Sequence, residues 1–179
     1  MKPANANLEF RALADPTRRA NFERLNRWPR NDSRTIRKSN SEKQKGKTMQ
    51  IKLTSVFVDD QDKALKFYTD VLGFQKKYEF PAGKHKWLTV VSAEEPEGVQ
   101  LVLEPNDGWN PSAKSYQQEI HRHGIPAANF FVADVQKEFD RLKQHGVTFT
   151  KEPTKTTGST IAVLDDTCGN LIQITHLDW

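Results

Sequence analysis

VFVDDQDKALKFYTDVLGF (residues 56–74) and FFVADVQKEFDRLKQHGVTF (residues 130–149) lie over one another almost residue for residue, with Asp60 over Asp134 and Gly73 near Gly146. Each stretch opens on a β-branched and aromatic run that suits a pleated strand. An aspartate able to cap a helix follows, then apolar residues at helical spacing, then a glycine that ends the helix. The copies are separated by about 73–74 residues. A repeat of this kind marks a supersecondary unit that buries its apolar face against its twin.

Around the first copy, Ile51–Val58 (IKLTSVFV) reads as a strand. Gln61–Val71 reads as a helix, with Ala64, Leu65, Phe67, Tyr68, Val71 and Leu72 apolar and Gly73 as its C-terminal cap. Strand-like runs follow at Phe74–Phe80, Lys86–Ser92 and Val99–Glu104, giving the order β-α-β-β-β. A polar stretch runs through Gly124, and then the order returns. Ala128–Ala133 is a strand, and Val135–Gln144 is a helix with Val135, Phe139 and Leu142 apolar, ended at Gly146. Further strands are expected at Val147–Lys151, Ser159–Leu164 and Asn170–His176. The expected fold is α+β: two βαβββ modules, residues 50–105 and 126–177, each with a four-stranded sheet that has one face left apolar. Paired, they place helices outside and leave a curved sheet cradling a cavity.

The chain has 179 residues, with 27 Lys and Arg against 23 Asp and Glu. Residues 1–48 carry 13 basic and 5 acidic side chains, a net +8, and residues 49–179 carry 14 and 18, a net −4. A basic arm therefore precedes a mildly acidic body, and the overall charge is no nucleic-acid signal for the whole chain. Residues 26–48 are nearly all Arg, Lys, Asn, Ser, Gln and Thr, so they bury too little apolar surface to order and read as a disordered linker. Leu8–Leu25 has spacing for two short helices divided at Asp15-Pro16. No apolar run approaches the roughly 18 residues of a membrane span, and no signal-peptide core is present. The single cysteine, Cys168, makes neither an internal disulfide nor a cysteine-based zinc site. A cytoplasmic location is expected.

FRALADPTRRANFERL, within residues 8–25, resembles the opening of arsenic-repressor-type (ArsR-type) winged-helix regulators. The likeness stops before the recognition helix and the wing, for which residues 26–48 lack the apolar periodicity, so it reads as a remnant and nucleic-acid binding is not expected. In the body, DKALKFYTDVLGF, DVQKEFDRLKQHGV and DDTCGNLIQI resemble the vicinal oxygen chelate superfamily over residues 50–177. That group includes glyoxalase I, extradiol dioxygenases and bleomycin-binding proteins, so the resemblance implies a two-module cup and leaves the chemistry open. In its metal-dependent members the ligands come from the first and last strands of each module. Counting from the helix-initiating aspartates, those positions hold Leu53, Val102 or Glu104, Ala127 and Gln173. One carboxylate is too few for a catalytic divalent ion, which takes about three protein ligands, so no metal and no cofactor are expected. The five histidines add none: His85 lies in a turn, His121 and His123 flank a helix end on different faces, His145 ends a helix, and His176 points away from Gln173.

Strand alternation gives the lining of the cup. Ser55 and Phe57 share a face, as do Gln100 and Glu104, Asn129 and Phe131, and Gln173 and Thr175. An apolar floor with a few amides and hydroxyls suits a small, partly apolar ligand. Asn129 and Gln173 are read as buried amides in need of partners, which a ligand, a water or each other can supply. Glu104 is the one candidate catalytic group, either as a general base or as a solvated side chain at a strand end beside Pro105. Cys168 sits in the hairpin DDTCGN as a turn residue rather than a nucleophile. Trp109, in the loop between modules, is a lid or a packing residue. The function expected is binding of a small organic ligand. The alternatives are a metal-dependent lyase or dioxygenase of the same superfamily and a ligand-sensing transcriptional regulator. Uncovered strand edges invite pairing with a second copy, so a homodimer is expected.

Overall fold

The computed structural model describes residues 49–179, of which Gln50–Trp179 form one compact unit. The two short helices and ArsR-type likeness of residues 8–25, and the linker of residues 26–48, lie outside the described residues. Module one comprises β1 (Leu53–Val58), α1 (Gln61–Lys66), β2 (Gln75–Ala82), β3 (His85–Val91) and β4 (Gln100–Pro105). A connecting helix α2 (Ala113–Arg122) leads to module two, with β5 (Ala128–Phe131), α3 (Val135–Gln144), β6 (Phe149–Thr156), β7 (Ser159–Asp165) and β8 (Leu171–Leu177). The sheets have the same order, β1-β4-β3-β2 and β5-β8-β7-β6. In each, the first strand pairs parallel with the last and the remaining pairs are antiparallel. The α+β fold of two βαβββ modules is therefore observed.

The local signals of the repeat act as their chemistry dictates. The Asp60 carboxylate accepts from the backbone N–H groups of Asp62 and Lys63 at 2.9 Å each, and Asp134 accepts from Lys137 N–H at 3.0 Å. Both satisfy donors that a helix start leaves orphaned. Gly73 and Gly146 close the two helical segments at φ +81° and +77°, where a side chain is disfavoured. One difference from expectation lies between them. The helix begun at Gln61 is α-helical only to Lys66, and Phe67–Val71 form a wider π-helical turn. Phe67 and Tyr68, adjacent in sequence, are both buried in that turn.

The core lies on the helix side of both sheets and is continuous. Val56, Val58, Leu88, Leu101 and Leu103 of module one join Leu142, Leu164, Ile172 and Ile174 of module two. Tyr68 meets the edge of Phe130 at 6.4 Å between ring centres, and Phe74 meets the same ring at 5.1 Å. The helix-side aromatics of module one therefore pack on module two as well as on their own sheet. Arg141 of α3 donates to Val71 O at 2.9 Å, a second tie between the repeats.

Helix α2 occupies part of the polar stretch that the sequence left without an element. It turns only Ala113 and Gln117 inward, so it carries almost no apolar periodicity. Gln117 is a polar anchor: its Nε2 donates to Phe57 O (2.6 Å), Cys168 O (3.0 Å) and Asn170 Oδ1 (3.1 Å), and its Oε1 accepts from Asn106 Nδ2 (2.8 Å). A Cβ at Gly169 would meet that amide at 2.8 Å, in a residue whose φ is +97°. The Asp166 carboxylate completes the joint, accepting from Tyr68 Oη (3.0 Å), Asn170 Nδ2 (2.7 Å) and the N–H groups of Cys168 and Asn170 (2.8 Å each). Burial pushes its pKa up, against the pull of those donors. Cys168 is a fully buried turn residue whose thiol is pushed up to about 12, first by burial and then by Asp166. A thiol so placed is not a nucleophile. No helix among the described residues is long and apolar enough to cross a membrane.

Candidate functional site

The faces turned away from the shared core carry the candidate residues, and the strand registers arrange them in rows. On module one, Tyr78, Thr89, Val102 and Ser55 stand opposite one another across all four strands. One row along, Phe80 faces Trp87 and Glu104 faces Phe57, and in the other direction Gln100 faces Leu53. On module two, Ile161, Thr175 and Phe131 form one row, and Val163, Gln173 and Asn129 form the next. The pairs chosen by alternation therefore do share faces: Ser55 with Phe57, Gln100 with Glu104, Asn129 with Phe131, and Gln173 with Thr175.

Their burial and bonding differ from expectation in two places. Asn129 is exposed rather than buried, because β5 is an edge strand. Asn129 and Gln173 are linked through a third residue: Gln173 Nε2 donates to Thr175 Oγ1 (3.1 Å), and Thr175 Oγ1 donates to Asn129 Oδ1 (2.7 Å). Glu104 is half-buried, and its Oε1 accepts from Trp109 Nε1 at 2.6 Å, so the loop between the modules is clasped to the one carboxylate of these rows. Phe57 meets Tyr116 of α2 edge-on at 6.3 Å.

Sequence reasoning passed over the middle of module one's sheet. Thr89 is completely buried and Gln100 is 8% exposed, and both carry polar atoms with no hydrogen-bond partner: Thr89 Oγ1 and Gln100 Oε1. The Trp87 indole Nε1 is buried and unpartnered in the same way. His85 Nε2 belongs to a different class, since Asp107 Oδ1 lies 3.2 Å from it. Beside Trp87 and Thr89, the rings of Phe80 and Tyr78 stack at 5.7 Å with 22° between their planes. Alternation along β3, extended to its sheet neighbours, was the signal that could have found Trp87, Thr89, Tyr78 and Phe80.

The donor set bears on the metal ion that many proteins of this architecture carry. Among the described residues no three His, Cys, Asp or Glu side chains group so as to hold an ion. The rows of β1, β4, β5 and β8 offer one carboxylate, already bonded to an indole, and no imidazole. His176 lies on the core side, with Nδ1 3.3 Å from Val132 O. His121 pairs with Asp165 at 3.3 Å, and His123 with Glu119 at 2.9 Å. Such residues do not fit a divalent-ion site.

The comparisons with known proteins agree with this architecture. The chain is 59% identical over 126 residues to YurT of Bacillus subtilis, an uncharacterized protein, which spans 70% of this chain and 98% of that one. Among solved structures, UcmS2 is 31% identical with a TM-score of 0.64, covering 74% of this chain and 99% of that one. TnmS3, an antibiotic binding protein from Streptomyces sp. CB03234, is 26% identical with a TM-score of 0.59, covering 74% and 98%. The family model matched is the Glyoxalase/Bleomycin resistance protein/Dioxygenase superfamily, and the match spans residues 50–174, both modules from before β1 into β8. With its repeated module, its sheet order and this match, the chain belongs to the glyoxalase/bleomycin resistance protein/dioxygenase superfamily.

Proposed function

We propose that this protein binds a small, partly apolar organic molecule in the cup formed by these two faces, without a catalytic divalent ion. The observation that carries the reading is the composition of the rows. Aromatic and aliphatic side chains surround a few neutral amides and hydroxyls, as in sites that fix a ligand by packing plus a few oriented hydrogen bonds. The likeness to TnmS3, an antibiotic binding protein, supports a binding role. Glu104, bonded to Trp109, acts in this reading as an anchor for the loop between modules rather than as a general base.

The reading includes a homodimer. β1 and β5 are edge strands, and they carry Leu53 and Phe131 at 38% and 65% exposure. Apolar edges of that kind are covered most simply by a second copy about a two-fold axis. Light scattering on the full chain should return the mass of two chains, and the mass of one chain at tens of micromolar protein would remove the dimer from the reading. The ligand is tested by thermal shift with a panel of small metabolites and antibiotics on protein treated with EDTA. A hit that raises the melting temperature equally with and without chelator supports the reading. Stoichiometric zinc, nickel, manganese or iron, lost in Glu104→Gln, contradicts it.

A further inference from the structure

The three unpartnered polar atoms carry the reading of this site further. A buried polar atom without a partner is costly, and structures keep few of them without a reason. Here three lie on one face of one sheet, on two neighbouring strands, while the polar atoms of module two's face are bonded among themselves. They are also chemically distinct. The Trp87 indole only donates, the Gln100 amide oxygen only accepts, and the Thr89 hydroxyl between them does either. The one carboxylate of these rows, Glu104, stands in the same row as Trp87 and accepts from Trp109.

We propose that polar recognition of the ligand resides on module one, at Trp87, Thr89 and Gln100, and selects a planar unsaturated group that is not an anion and bears a hydrogen-bond acceptor beside a donor. The proposal rests on the ligand-binding reading above and adds the chemistry and the place. Planarity follows from the flanking rings: Tyr78 and Phe80 stack on one another beside the two residues, and a flat group suits a site lined by such rings because π systems prefer offset or edge-on packing. An anion is disfavoured, because it would be buried beside the Glu104 carboxylate without a counter-charge. A ligand carbonyl accepts from the Trp87 indole while a ligand N–H or O–H donates to Gln100.

Isoquinolin-1(2H)-one supplies the required edge, a carbonyl beside an N–H on a flat ring. Its N-methyl derivative lacks the donor, and naphthalene lacks both groups. The full chain, labelled with nitrogen-15, is titrated with each, and the Trp87 indole signal is identified by its absence in Trp87→Phe. The lactam should shift that signal and bind about tenfold more tightly than the N-methyl compound, the usual scale for one hydrogen bond to a buried partner. Gln100→Leu should erase that preference while leaving naphthalene binding intact. Thr89→Val should weaken lactam binding without lowering the melting temperature. Equal affinity for lactam and naphthalene, or shifts confined to the other tryptophans, overturns the proposal while leaving a binding cup. If none of the three compounds binds the folded chain, both the proposal and the reading beneath it fall.

Discussion

On module one's outer face the polar atoms of Trp87, Thr89 and Gln100 end without partners, whereas on module two's face Gln173, Thr175 and Asn129 close a chain of their own. The backbones are near copies: same strand order, same capping aspartate, same terminating glycine. Between the two outer faces the difference lies in side chains whose neighbours the register sets. A repeated fold can thus hold one face chemically closed, as structure, and the other chemically open. In the reading proposed above, the open face meets the ligand and the closed face supplies packing and shape.

The comparison requires the two modules to stay joined, and beside the shared apolar core part of that joint is polar. Gln117→Ala removes four hydrogen bonds at once and leaves Asn106 Nδ2 and Asn170 Oδ1 short of a partner. A loss of about 3 kcal/mol is expected, the range for orphaning buried polar groups, with both modules losing structure together in a single denaturant transition. Two separate transitions would break the picture of one continuous core.

The capping aspartates sharpen the comparison at a smaller scale. Asp60 accepts from two backbone donors and Asp134 from one, and the hydrogen bond from Lys63 N–H holds the Asp60 carboxyl below its ordinary value of 3.8. A carboxyl whose folded pKa is lowered stabilises the fold above its unfolded pKa, and that contribution fades as pH falls through the folded value. Asp60→Ala should therefore lower the melting temperature at neutral pH more than Asp134→Ala does. The difference between Asp60→Ala and the parent should shrink in melts carried below pH 3.8. Equal losses in the two variants at every pH would show that the extra backbone donor contributes nothing.

The fold was legible because its signals are local. A capping aspartate, an apolar stripe at helical spacing and a left-handed glycine recur in both copies, and strand alternation assigned the shared faces correctly. The π-helical turn at Phe67–Val71 escaped because an apolar pattern of adjacent aromatics does not distinguish a wide turn from a regular one. Helix α2 escaped because its inward face is Ala113 and a glutamine. At the site, alternation placed Ser55, Phe57, Gln100, Glu104, Asn129, Phe131, Gln173 and Thr175 on the outer faces. Whether a polar atom there is already bonded depends on cross-strand neighbours. That is why Asn129 and Gln173, read as amides whose partner is a ligand, a water or each other, are linked through Thr175, and why Trp87 and Thr89 went unnoticed.

The contrast between the faces is tested without any ligand by measuring urea unfolding of Thr89→Val and Thr175→Val beside the parent. Both residues are buried threonines in the middle of a strand. Replacing the unpartnered Thr89 hydroxyl with a methyl group should leave stability unchanged or raise it by up to about 1 kcal/mol, whereas removing Thr175 from its bonded chain should lower stability by about 1 kcal/mol. A Thr89→Val variant that loses as much stability as Thr175→Val would contradict the account, because the Thr89 hydroxyl would then be a structural bond and not one held open for a ligand.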